Sequence, residues 1–347
     1  MVLLHTVVNG WGRGKNRYQH IISTSMMKFQ GRQTVRNMLV ITVLIAGGYF
    51  GAFYTPMLGT GAIMAYDQRP VDYAYHFRND QDIPDEAEVR RMAEEEQVTI
   101  TDWTAQPMVR LAVDGTEHVE QDTGFGITWS EKYREILASD LFLSESAWNA
   151  LTGDDLDLPS GTIAAVFDQY GSANGMMSND VTLVTNYVTG VQLPVTSREE
   201  VLKNDILFGR RVLDDGDYAM LAEGLPADWQ ETVVFFQVEN DADTYVFAKR
   251  LFNEIVDRSG PEVELVDAWD PVRRDLDIQE QGFYSYDPAE FSGISETGLE
   301  GIDYDKRDSS SFRLYWQYMP QFRVLDKADF VRTTAVFLML FIFIAIV

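Results

Sequence analysis

No cysteine occurs in the 347 residues. This excludes disulfides, thiolate nucleophiles, Cys-ligated zinc and iron–sulfur clusters. It leaves the compartment open, because a chain without cysteine is stable on either side of a membrane. Positive charge is also scarce, with 28 Lys and Arg against 54 Asp and Glu, a net of −26. A field of that sign repels phosphate and argues against nucleic acid as a partner. What is abundant is apolar material, at 46% of the chain. That is enough to bury a sizeable core and argues against wholesale disorder. On length alone the chain has material for about two domains of roughly 150 residues.

Acid is missing from one region altogether. Residues 1–66 contain Arg13, Lys15, Arg17, Lys28, Arg32 and Arg36 but no Asp or Glu. The other 22 basic residues and all 54 acids follow, a net of −32. An asymmetry this sharp asks for a physical boundary. From Asn37 to Tyr66 no residue is charged, and Met38 to Leu58 reads MLVITVLIAGGYFGAFYTPML. As a helix, 21 residues reach about 31 Å, enough to cross a hydrocarbon layer of about 30 Å. Gly47, Gly48 and Gly51 suit close helix contact in a membrane, and Tyr49, Phe50, Phe53 and Tyr54 suit its interface. The run is too long and too late for a cleaved signal peptide. The positive-inside rule places the basic block in the cytoplasm and the acidic block outside.

A second apolar run, Ala335 to Val347, has 13 residues without interruption. It is too short to cross a bilayer, and a helix ending in hydrocarbon leaves carbonyls unpaired. The expectation is a fragment of a longer membrane protein. The intervening segment reads as mixed α and β. Strands are expected at 71–77, 98–103, 108–113, 181–188, 232–239 and 263–268. Helices are expected at 84–96, 144–151 and 243–258 and from Pro271, with Pro84 in a first turn and Ser144 an N-cap. Asp114-Gly115 reads as a hairpin turn leading to a strand from His118. The order around 232–268 suggests an α+β or split βαβ unit. Residues 282–318 read as a loop-like insertion carrying nine aromatic residues, which either pack it down or form a recognition surface.

The search for chemistry nominates no catalytic, cofactor-binding or metal residue. His5, His20, His76 and His118 include no i, i+4 pair of a zinc helix. Gly10 to Lys15 is one residue short of a phosphate loop, and Asn16 stands where Ser or Thr is needed. Gly293 to Gly298 is one residue too long for a nucleophile elbow. Asp154, Asp155 and Asp157 lack the glycine and glutamate of a calcium loop. Close carboxylate pairs are expected by chance at this acid content, so they cannot mark a glycosidase. The expectation is a protein that is not an enzyme.

Ser25 to Ile45 (SMMKFQGRQTVRNMLVITVLI) resembles the lead into the first span of an FtsX-like or MacB-like ABC transporter permease. There a basic amphipathic helix runs straight into the membrane. Here Ile22, Met26 and Phe29 share one face and Lys28, Arg32 and Arg36 the others, as in a helix lying at an interface. Leu143-Ser144-Glu145-Ser146-Ala147, Leu151 and Gly161-Thr162-Ile163 are similar to a stretch of the family's outer domain. Asp329-Phe330-Val331-Arg332 is similar to its return into the membrane. The segment 282–318 has no counterpart.

The resemblance implies a cytoplasmic basic segment at 1–37 and a transmembrane helix at 38–58. It implies an α+β extracytoplasmic domain of the MacB-like periplasmic type at 59–330, with its insertion at 282–318, and the start of a truncated membrane helix at 331–347. It further implies location in the cytoplasmic membrane, a lipid bilayer around the spans, a partner ABC ATPase that hydrolyses the ATP, and two permease units together. The cargo so implied is a cationic peptide or lipid-linked substrate, for export, peptide resistance or sensing, or mechanotransmission. The alternative is a membrane-anchored receptor or binding module without an ATPase.

Overall fold

The computed structural model describes residues 26, 30–31, 33–49, 64, 66–122, 127–168, 181–197, 202–259, 271–282 and 318–346. They fall into two compact units. One unit, residues 1–68 and 327–347, is helical where described, over 33–49 and in most of α6 (Arg323–Ile346). Among the described residues, no helix is long and apolar enough to cross a membrane. The other unit, Arg69–Asp326, is a mixed α+β domain built on a large sheet.

Eleven strands are described: β1 (Tyr73–Arg78), β2 (Ile100–Asp122), β3 (Ile127–Ser144), β4 (Thr162–Phe167), β5 (Leu183–Thr185), β6 (Gln192–Pro194), β7 (Thr196–Ser197), β8 (Leu202–Lys203), β9 (Arg211–Leu213), β10 (Gln230–Val238) and β11 (Gln321–Phe322). Their main order is β11-β1-β10-β2-β3-β9-β4-β7, with β5 on β2, β6 on β5 and β8 on β4. The pairs around β10 are antiparallel. The pairs β3–β9, β4–β7 and β4–β8 are parallel.

Strand alternation sends successive side chains to opposite faces. On β10, Val234, Phe236 and Val238 join one core with Tyr73 and Tyr75 of β1. Val233 and Phe235 join another with Ala74, Met108 and Trp148. Because both faces are covered, TVVFFQV is nearly continuously apolar instead of alternating. The first face is closed by α1 (Glu86–Glu95) and α4 (Tyr245–Arg258), which bury Val89, Met92, Phe247, Leu251, Phe252 and Ile255. Tyr73 sits at its centre. Its ring stacks on Phe236 at 4.5 Å and meets Phe322 at 4.9 Å and Phe247 at 5.5 Å. Its hydroxyl donates to Thr244 Oγ1 at 2.6 Å. The second face is closed by α2 (Glu145–Thr152), and a third core lies under α3 (Asp215–Ala222). Helix α5 (Pro271–Gln281) starts at the proline read as a helix start.

The caps follow from side chains that accept orphan N–H groups. Asp85 accepts from Glu88 N at 2.8 Å. Pro84 therefore stands before the cap and not in the first turn, which corrects the expected start of α1. Ser144 accepts from Ala147 N at 3.2 Å, as its position predicts.

Three strand assignments need correction. The strand expected at 181–188 is only Leu183–Thr185, because Asn186 turns the chain by accepting from Val188 N and Thr189 N. The expected strands at 98–103 and 108–113 belong, from Ile100 on, to one strand, β2, and Asp114-Gly115 is not a turn. Pairing of β2 with β3 continues to Asp122↔Ile127, with a register shift between Val113 and Gly115. The extra residues are on β3, where Ile136 takes φ +49°. That is the left-handed region, uncommon for a β-branched residue. Buried Asp114 supports it by accepting from Ile136 N and from Tyr133 Oη, both at 2.9 Å. A turn-forming pair was thus used to shape a bulge. The expected strand at 263–268 lies outside the described residues.

Asp114→Ala removes both bonds and leaves the Ile136 amide without its acceptor. We expect a loss of about 1–3 kcal/mol, read from urea unfolding. Asp114→Asn, which keeps an acceptor oxygen, should lose less.

Candidate functional site

Among the described residues, those considered for chemistry are not brought into one site. His5, His20, Gly10–Lys15 and Gly293–Gly298 lie outside the described residues, as does all of the aromatic segment after Gly282 up to Tyr318. His118 lies on β2. Asp154 accepts from Trp148 Nε1 at 2.9 Å, while Asp155 and Asp157 are exposed. Among the described residues, no group of three His, Asp or Glu could hold a metal ion. A shallow groove beside α4 is lined by Tyr245, Val246, Lys249, Arg250 and Glu96. Arg250 there is already paired with Glu95 and Glu96.

A dense polar constellation among the described residues is one that sequence reading missed. Glu231, at the start of β10, is only 2% exposed. Neighbouring strands supply its partners. His76 on β1 donates from Nδ1 to Glu231 Oε2 at 2.8 Å. Arg110 on β2 donates from Nη2 to Glu231 Oε1 at 3.1 Å. Tyr318 donates to the same oxygen at 3.3 Å, and its ring lies 5.1 Å from the His76 ring. Arg210 reaches His76 Nε2 at 3.1 Å and the Phe208 carbonyl at 2.8 Å.

The tautomer follows from the donor inventory. A guanidinium can only donate, so Nε2 of His76 accepts and its proton is on Nδ1. The imidazole is therefore neutral. Burial pushes its pKa down, against the Glu231 hydrogen bond, and the Arg210 and Arg110 charges push it further. Burial alone would raise the Glu231 pKa, but the His76 bond and the two arginine charges outweigh it and hold it at about 2. Burial also lowers the Arg210 pKa.

A histidine oriented by a carboxylate is the geometry of a general base. Here the lone pair that would take a proton is filled by Arg210. The arrangement holds a neutral imidazole between a carboxylate and a guanidinium.

A second set of charges marks the two ends of the sheet unit. Arg323, at the start of α6, pairs with buried Asp72 and with Asp241 at 3.0 Å. Asp72 Oδ2 also accepts from Val238 N at 2.9 Å, and its carbonyl accepts from Arg323 N at 2.9 Å. Arg69 donates to Asp326 at 2.5 Å. In the helical unit, Lys327 pairs with Asp67 at 2.5 Å, and Tyr66 meets Phe330 edge-on at 6.2 Å. An arginine at a helix N-terminus opposes the helix dipole. The two aspartates offset that cost.

The residues of the family-like stretch also have local duties. Ser144 caps α2, and Glu145 accepts from Leu158 N at 2.6 Å. Ala147, Leu151 and Ile163 are buried. Gly161 takes φ +76° and donates to buried Asp217 at 2.6 Å. The stretch specifies a strand end, a capped helix and the next strand.

Two outcomes are expected. The folded-state pKa of His76 lies below its ordinary 6.5, so the unfolded chain takes the proton first. Its contribution is complete above about pH 6.5 and is lost as pH falls below that value. Glu231, lowered from 4.5, adds a separate loss below about pH 4.5. Urea melts of wild type and His76→Gln between about pH 7.5 and 5 should show a smaller fall for the variant. Arg323→Ala leaves Asp72 buried and unpaired and should cost about 3–5 kcal/mol, measured by thermal or urea unfolding.

No protein-family model matches this chain, and no curated protein matches it.

Proposed function

We propose that this chain is the permease subunit of an ABC transporter of the FtsX-like and MacB-like kind. Residues 38–58 cross the cytoplasmic membrane, and the sheet unit is of the MacB-like type and stands outside. A partner ATPase hydrolyses ATP in the cytoplasm, and its movement is passed through the spans to the outer domain. Two permease units act together on a cationic peptide or lipid-linked cargo. The chain itself does no covalent chemistry.

The observation that carries this reading is the helix over 33–49. Met38, Leu39, Val40, Ile41, Val43 and Ile45 are each half exposed or more. At 3.6 residues per turn they cover every side of the helix. A helix apolar all round needs a covering other than water. Hydrocarbon suits the basic block before it and the acidic chain after it. The ABC class rests on the likeness of Ser25–Ile45 and Leu143–Ile163 to that family. The ion pairs of Asp72 with Arg323 and of Arg69 with Asp326 support a domain inserted between two membrane helices, since they clasp its first and last residues.

The test is co-purification. The full-length protein should bring down an ATPase with Walker motifs. Arg32→Glu combined with Arg36→Glu should lose it, while the thermal transition of the sheet unit stays unchanged. Purification of the full-length protein without any ATPase would overturn the reading and leave a membrane-anchored binding module.

A further inference from the structure

The turn between β5 and β6 is built as a rigid display. Asn186 at its base is fully buried. Its Oδ1 accepts from Val188 N at 3.0 Å and Thr189 N at 2.9 Å. Its Nδ2 donates to the carbonyls of Leu221 at 2.8 Å and Glu223 at 3.1 Å, which ties the turn to the end of α3. Its backbone bonds Val191 and Gly190, both at 2.8 Å, with Gly190 at φ +76°. One side chain thus fixes the backbone of the whole turn.

What the turn presents is apolar. Tyr187 is 42% exposed, Val188 48% and Val191 36%. The Tyr187 ring stacks on Trp229 at 5.8 Å with 22° between planes. Water gains nothing from a turn fixed to hold three apolar side chains out. A partner does, because the ordering cost is already met before binding. Large exposed apolar groups on rigid supports, with a Tyr–Trp pair among them, are features of contact surfaces.

The charge around the turn selects the partner. Residues 181–197 carry no charge, and residues 212–230 carry five acids and no Lys or Arg. Asp214 caps α3, and Asp217 is buried on Gly161. Asp215 accepts from Ser146. Glu223 and Asp228 are exposed and have no ion pair among the described residues. Glu223 belongs to the segment holding Asn186, and Asp228 adjoins Trp229. Aromatic rings on segments that also carry exposed carboxylates suit ammonium and guanidinium groups, which are attracted to both. An anionic lipid surface or an acidic protein would be repelled. The acidic unit as a whole steers cations toward this face.

We propose that the Tyr187–Trp229 face docks a cationic amphipathic peptide. Its apolar residues rest on Val188 and Val191, and its Lys or Arg groups meet Tyr187, Glu223 and Asp228. This deepens the proposed cargo and rests on that reading for its physiological meaning. Its experiment uses neither ATP nor an ATPase, so failure here is distinguishable from failure there.

The probe is a synthetic peptide of alternating lysine and leucine, titrated into the full chain in detergent by calorimetry. Saturable binding that weakens with added salt is expected. Tyr187→Ser should weaken it about tenfold. Glu223→Gln with Asp228→Asn should flatten the salt dependence. Trp229→Phe, which keeps an aromatic ring in the core, should retain binding. These changed side chains, Trp229 apart, are exposed, and the thermal transition checks that each variant folds. Unchanged affinity in Tyr187→Ser would overturn the proposal. So would equal binding of a glutamate–leucine peptide, or self-association of the chain through Tyr187.

Discussion

A carboxylate inside the sheet is the constraint on which much of this unit depends. Glu231 cannot be buried alone, because an unpaired charge away from water costs several kcal/mol. Its two oxygens therefore need donors, and the donors come from His76, Arg110 and Tyr318. These residues belong to β1, β2 and the segment leading to β11. Arg210 is drawn in through His76. Any slip of β10 by one residue would turn Glu231 to the other face and break all of these bonds at once. The network thus fixes the register of the central strand, while the apolar residues around it supply the burial.

The same economy operates at the ends of the unit. Asp72 is bonded to Val238 of β10 through its side chain and to the first turn of α6 through Arg323. The end of β10 and the start of the outgoing helix therefore share one carboxylate. Tyr73, the next residue, is the centre of the aromatic cluster formed with Phe236, Phe247 and Phe322. Polar clasp and apolar core meet within two residues. That explains why β11, only two residues long, is held in place. Its pairing with β1 is short, but Phe322 and Arg323 anchor it on both sides.

Legibility varied with the range of the interaction. Helices α2 and α4 were readable, since the Ser144 cap and the i, i+3, i+4 face of α4 act within a turn or two, whereas α3, capped by Asp214 but with no clear apolar face, was not. The apolar run of β10 was readable as a strand, but its start was placed at Thr232, one residue past Glu231. A charged residue at a strand edge looks like solvent-facing chain. Its burial depends on partners 155, 121 and 87 residues away. Asp114-Gly115 misled for the same reason. The pair favours a turn locally, yet β3 supplies Ile136 and Tyr133 to make it a bulge. Asn186 gave no signal at all, because its value lies in the α3 carbonyls that it reaches.

The division is physical. Charge partition, apolar periodicity and capping are properties of neighbouring residues, so the sequence alone determined the basic lead, the uncharged run at 38–58, the acidic α+β region and most of its helices. Which acid is buried, which Asp-Gly bends a strand, and which turn holds Tyr187 and Val188 outward were decided only by the tertiary structure. Each depends on groups far apart in the chain, and a buried or displayed side chain has its meaning from the atoms that surround it.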